Sequence, residues 1–205
     1  MRILHISDTH NQHRSLDSLP EADMIVHSGD FTHNGTEEEA VDFMNWFSEL
    51  PYSHKIFIAG NHDLCMYNIQ SIEGLPDNVH YLCNQSIKIE GITFYGIPYF
   101  INDCKKELYE RRLELIPPDT DILVTHQPPY GICDVADYGK GLSHHGSIKL
   151  EECVYRLNIK YHLFGHEHDA NGVTKKDGIV FSNASLVNHN FEMYAKPRLF
   201  QYKQV

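Results

Sequence analysis

Residues 54–63 read His54-Lys55-Ile56-Phe57-Ile58-Ala59-Gly60-Asn61-His62-Asp63: a short apolar, β-prone run that ends in a turn of glycine, amide, imidazole and carboxylate. The same arrangement recurs along the chain. Arg2–Ser7 delivers Asp8-Thr9-His10, Met24–Ser28 delivers Gly29-Asp30, Asp121–Thr125 delivers His126, and Tyr161–Phe164 delivers Gly165-His166-Glu167-His168. In open α/β sheets ligands gather beyond the carboxyl ends of strands, so such turns can converge on one site.

Between the second and third strands the spacing predicts a helix. Thr36 with Glu39 forms a capping-box pattern, Ala40, Phe43, Met44, Phe47 and Leu50 give one apolar face, and Pro51 stops it. Further on, Ser86–Glu90 and Ile92–Ile97 read as a hairpin, Lys105–Leu115 as a helix, and a second helix starts at Ser147 with Leu150, Val154 and Leu157 along one side. Gly172–Lys175 and Ile179–Asn183 form another hairpin, and Arg198–Lys203 suits an edge strand. Two loop-rich stretches, 64–84 and 131–146, lie between these elements. Early alternation of strand and helix followed by hairpins predicts an α/β fold of two mixed β-sheets packed as a sandwich with helices outside. With 205 residues and no linker or repeat, the expectation is a single domain over 1–205.

Composition narrows the function. No run approaches the apolar length of a membrane span, and the N-terminus enters a strand without a signal-peptide pattern, so a membrane location or secretion is not expected. Five scattered cysteines without a CxxC pair suit a reducing cytoplasm. The net charge of −11, with no basic block, argues against binding long nucleic acid and favours a small anionic substrate drawn by metal charge. Histidine is abundant, at 15 residues, and it is the commonest transition-metal ligand.

The turn residues make a chemically coherent ligand set. Asp8 and Asp30 offer anionic oxygens, Asn61 a neutral oxygen, and His10, His126, His166 and His168 offer nitrogens. Such a mixed shell suits Mn, Fe or Zn over Ca and lacks the thiolates that select softer metals. Two divalent metal ions roughly 3.5–4 Å apart would polarise a phosphoryl group and turn bound water into hydroxide. Competing motifs fail. HEHDA at 166–170 is not HExxH, no GxxxxGK[ST] occurs, Ser143 lacks GxSxG spacing, and Gly139, Gly141 and Gly146 do not make GxGxxG.

The blocks DTH, GD, GNHD, THQPP and GHEH, in that order from Asp8 to His168, resemble the calcineurin-like metallophosphoesterase superfamily. The stretches LPYSHKIFIAGNHDL, THQPPYGICD and SNAS are similar to small metallophosphoesterase-domain proteins related to class III cyclic-nucleotide phosphodiesterases. The resemblance implies a four-layer αββα fold and a phosphodiesterase acting on small, cyclic or other, nucleotides through a hydroxide bridging two metals, Mn favoured. It implies that Asp8, His10, Asp30 and His168 hold one metal, and that Asp30, Asn61, His126 and His166 hold the other. His62 would protonate the leaving group, and Asp63 would orient His62. His144, His145, Asp134, Asp137 and Tyr138 are candidate rim residues. His33 and His189 are expected on the surface or unassigned, and His5 and His27 in the core. The alternatives are a phosphomonoesterase and a non-catalytic protein-binding scaffold. Oligomeric state is not legible.

Overall fold

The computed structural model describes residues 1–203. Four strands of the first sheet run parallel: β1 (Arg2–Ile6), β2 (Met24–His27), β3 (His54–Phe57) and β4 (Val79–Tyr81). The tail strand, Arg198–Gln201, pairs antiparallel with β1, so the sheet order is tail, β1, β2, β3, β4. The second sheet contains β5 (Gln85–Ile89), β6 (Ile92–Ile97), β7 (Ile122–Thr125), β10 (Tyr161–Phe164), β11 (Gly172–Lys176) and β12 (Ile179–Asn183). Its order is β11-β12-β10-β7-β6-β5, parallel in the middle and antiparallel at both edges. The remaining strands are the two-residue β8 (Val135–Ala136) and β9 (Ser143–His144), paired antiparallel within the stretch 131–146, and the tail strand is β13.

Both faces of both sheets are covered, which explains why the central strands are almost continuously apolar. On β1, Ile3 faces the other sheet while Leu4 and Ile6 face α1 (Glu37–Glu49). The same alternation puts Met24, Val26, Ile56 and Ile58 against Phe94, Ile122, Val124 and Leu163 between the sheets. On the far side of the first sheet Phe43, Trp46 and Phe47 of α1 meet Phe57. Beyond the second sheet Tyr109 and Leu113 of α3 (Leu108–Leu113) and Leu150 and Val154 of α4 (Ile148–Arg156) cover Leu123, Phe164 and Phe181. The result is helix, sheet, sheet, helix, the expected αββα order. Gly96 of β6 packs tightly against the first sheet: a Cβ there would overlap Leu82 and Ile58.

Three sequence expectations change. The helix expected over 105–115 is two short pieces, α2 (Ile101–Lys105) and α3, separated by Glu107 at φ 58°. The break lets Arg112 reach back to the buried Asp103 at 2.6 Å while Tyr109 and Leu113 turn inward. The stretch 64–84 contains β4, whose Val79 and Tyr81 are buried beside β3. In the capping box, Thr36 accepts the Glu39 N–H at 3.3 Å, but the Glu39 carboxylate receives the backbone N–H groups of His33 and Asn34 instead.

Candidate metal centre

Parallel register aligns the carboxyl ends of β1, β2 and β3, and of β7 and β10, so their following turns meet at one edge of the sandwich. The chain reverses sharply there. Asp8, His10, Asp30 and His166 all have positive φ, between 41° and 72°, a conformation that costs L-residues energy and clusters at functional sites. Gly60 and Gly165 permit the tight approach. A Cβ on Gly60 would strike the Asp30 carboxylate, and one on Gly165 would strike Asp8 and Ser7.

All seven expected ligand residues come together. Ligand atoms of Asp8, His10, Asp30 and His168 lie within 4.8 Å of one another, and those of Asp30, His126 and His166 form an adjoining group that shares Asp30. Asp30 Oδ2 is 3.7 Å from His10 Nε2 and 3.3 Å from His126 Nε2. Asn61 Oδ1 is 3.1 Å from His126 Nε2.

The imidazoles are aimed by backbone carbonyls. Nδ1 of His10 donates to Thr32 O at 3.2 Å, Nδ1 of His126 to Ser28 O at 2.9 Å, and Nδ1 of His168 to Asn188 O at 3.1 Å. A carbonyl only accepts, so each Nδ1 carries a hydrogen and each Nε2 faces inward, where it can ligate once it carries no proton. His10 Nε2 and His168 Nε2 are 3.1 Å apart. Two imidazole lone pairs at that distance repel unless a proton or a cation stands beside them. With two buried carboxylates adjacent, the donor set fits a pair of divalent cations.

The charges agree. Burial opposes ionisation of Asp8, but the His168 hydrogen bond and the His126 charge outweigh it and hold the carboxyl well below the usual range. Asp30 is likewise buried yet held low, by His126 above all. Burial lowers His10 to about 4, and burial with the neighbouring His126 lowers His166 to about 3, leaving both neutral and ready to ligate. His126 is raised to about 9: burial opposes its charge, and the Asp30 and Asp8 carboxylates overcome it.

His62 sits at the pocket margin with Nδ1 3.0 Å from His33 O, and its backbone N–H donates to Asp30 Oδ1 at 2.8 Å. The expected partnership with Asp63 is absent. Asp63 is fully buried and accepts the backbone N–H groups of Asp30, Thr32 and Gly60 at 2.7–2.9 Å. It ties the Asp30 turn to the Gly60 turn, and the His33 carbonyl takes the orienting role given to it. Burial, with the neighbouring Asp30 charge, raises Asp63 to about 7 against those three donors.

The other candidates divide. Asp137 and Tyr138 line the cavity of about 410 Å³ in front of the Asp and His cluster, and Tyr138 donates to Glu167 at 3.0 Å. Asp134 is not on that wall. It is buried and staples the 131–146 loop through Gly131 N, Gly146 N and His144 Nδ1 at 2.7–3.0 Å. His145 bonds Ser143 and packs against Tyr138. His5 and His27 are buried, as expected. His189 and Phe191, which the sequence did not single out as site residues, both line the cavity. Phe191 has φ 60° and packs edge-on against His10, His33 and His168 at 4.9–5.3 Å. An asparagine-rich turn, Asn188-His189-Asn190, is the only local hint of it.

Gly165→Ala is expected to force Asp8 aside, lowering metal content and destabilising the fold by roughly 1–3 kcal/mol. Thermal unfolding and elemental analysis of the purified variant check this; unchanged metal content would show that Asp8 tolerates the added methyl.

Comparison with known proteins identifies the family. Residues 1–170 match the calcineurin-like phosphoesterase family. The chain is 34% identical to UPF0046 protein C25E10.12 of Caenorhabditis elegans, over 98% of this chain and 80% of that protein. It is 29% identical to human metallophosphoesterase domain-containing protein 1, over 96% of this chain and 69% of that one. Among solved structures, phosphopantetheinyl hydrolase from Mycobacterium tuberculosis superposes with a TM-score of 0.61 at 16% identity, covering 99% of this chain and 98% of the other. The fold and site thus define a metal-dependent phosphoester hydrolase of α/β sandwich type. The chain belongs to the calcineurin-like phosphoesterase family.

Proposed function

We propose that this protein hydrolyses phosphodiesters of small molecules, nucleotides among them, as one domain working in the cytoplasm with two divalent cations, manganese favoured. The observation that carries the reading is the convergence of three carbonyl-aimed imidazole Nε2 atoms and two buried carboxylates on adjoining positions that share Asp30. Asp8, His10, Asp30 and His168 would hold one cation, and Asp30, Asn61, His126 and His166 the other. When bound, such a pair supplies Lewis-acid polarisation of the phosphoryl group and acidifies the attacking water.

The chain's own groups do the rest. The carbonyl clamps on His10, His126 and His168 fix the orientation of these three imidazoles, so little reorganisation is needed as charge develops. His62, with Nδ1 engaged by His33 O, leaves Nε2 to meet the leaving oxygen. The cavity wall carries Asp137 and Asp169 and, among the described residues, no lysine or arginine. A singly charged diester suits such a wall better than a doubly charged monoester, which supports the diesterase reading. No helix is long and apolar enough to cross a membrane. The five cysteines are unpaired, which supports a reducing compartment.

The test is turnover of bis(p-nitrophenyl) phosphate against p-nitrophenyl phosphate by chelator-stripped protein resupplied with Mn. Higher kcat/KM on the diester is expected. Preference for the monoester would make the protein a phosphatase. Inactivity on both with Mn, Fe, Zn, Co and Ni would leave the scaffold reading in its place.

A further inference from the structure

The catalytic cavity has a neighbour. A second cavity of about 390 Å³ opens on the other side of Asn61, lined by Leu64, Tyr67, Phe100, Ile101 and Asn102. Asn61 lines both cavities, so they meet at a residue aimed at His126. The two differ in character. The first carries Phe191, Tyr138 and His189 beside the carboxylates Asp137 and Asp169. The second has no charged side chain on its wall, and two of its apolar residues are open to solvent side by side: Leu64 is 63% exposed and Ile101 53% exposed. An apolar wall that shares Asn61 with the polar cavity can take the apolar part of a ligand held there.

Their supports are rigid. Leu64 follows Asp63, which is locked by three backbone N–H groups, and the Leu64 N–H donates to His62 O at 2.8 Å. Phe100 is buried and stacks edge-on with Tyr67 at 5.4 Å. On the opposite side, Phe191 is held in its left-handed conformation by a turn in which Asn188 O accepts its N–H and Gln12 donates to its carbonyl at 2.8 Å. A bulky residue kept at positive φ against the ligand histidines marks a wall whose position matters more than local backbone comfort.

We infer that the site takes an open-chain phosphodiester with two organic arms: an aromatic or heteroaromatic arm against Phe191 and Tyr138, and an apolar arm over Leu64, Tyr67, Phe100 and Ile101. The phosphate lies between them at Asn61. This rests on the diesterase reading and narrows it, because a small cyclic diester has both ester bonds on one arm and leaves the second cavity empty.

The experiment pairs binding with turnover. Calorimetry of manganese-loaded protein compares diphenyl phosphate with dimethyl phosphate, and kinetics compare bis(p-nitrophenyl) phosphate with methyl p-nitrophenyl phosphate. The wild type is expected to bind the diaryl ester at least tenfold more tightly and to show a correspondingly lower KM for the two-armed substrate. Leu64→Ser and Ile101→Ser alter exposed side chains outside the ligand set. Each should raise KM for the two-armed substrate by about fivefold more than it raises KM for the methyl ester. Phe191→Ala should raise KM for both aryl substrates, with Phe191→Trp restoring it. Equal binding of diphenyl and dimethyl phosphate, or equal effects of Leu64→Ser on both substrates, would overturn the two-armed site. Selective binding without turnover would keep the two-armed site and sink the catalytic reading, so the failures are distinguishable.

Discussion

Asp30→Asn is expected to empty both cation positions at once and to lower turnover by more than about 100-fold. Disturbing groups that merely support a metal ligand typically costs about 10- to 100-fold, and Asp30 belongs to both ligand groups. The geometry makes the amide a poor substitute. Asp30 Oδ1 accepts the His62 backbone N–H at 2.8 Å, and Oδ2 lies 3.7 Å from His10 Nε2 and 3.3 Å from His126 Nε2. If the asparagine oxygen keeps the His62 bond, its NH₂ group points at the place where cations belong. If it turns the other way, the NH₂ group opposes the His62 N–H. Either orientation also removes the negative charge that is the largest influence drawing His126 upward. Elemental analysis and turnover of the variant check this, with Asp137→Asn on the cavity wall as a control that should keep its metals. Full occupancy of both positions in Asp30→Asn would contradict a shared ligand.

How much of this was readable in the sequence depends on range. The clustering of the candidate ligand residues was legible because each follows a strand whose apolar run is unmistakable, and parallel pairing then carries the turns to one edge. The sandwich was legible for the same reason: strands apolar on both faces need cover on both. Asp63 shows where this stops. Adjacent in sequence to His62, it reads as its partner, yet the turn points the carboxylate into three backbone N–H groups. Local order carries no information on which way a turn residue faces. Phe191 was hidden for a related reason, since nothing in its neighbours announces a left-handed phenylalanine, and only the packed histidines around it reveal its place. The split of the 105–115 helix depended on Arg112 reaching Asp103, a tertiary contact that periodicity does not contain. The cavity beside Asn61 joins the loop after Asp63 to the start of α2, two segments far apart in sequence.

His62→Ala is expected to lower kcat by about 10²- to 10⁴-fold on esters with poor leaving groups, the range for loss of a general acid, while metal content stays normal. Retention of metal follows from the connection between His62 and the centre. It reaches Asp30 through its backbone N–H, which alanine keeps, whereas its ring is oriented by His33 O and contributes no ligand atom to either group. The size of the loss should depend on the leaving group. p-Nitrophenolate departs without protonation, so the nitrophenyl diester should suffer least, and an alkyl or ribosyl ester, whose oxygen must gain a proton as it leaves, should suffer most. A purely positional His62 would give the same loss across the series, because packing does not sense leaving-group basicity. Kinetics over phenyl, substituted-phenyl and alkyl diesters therefore separate the roles. A steepening dependence on leaving-group basicity in the variant makes His62 the acid, and a uniform or negligible loss removes it from the proton transfer.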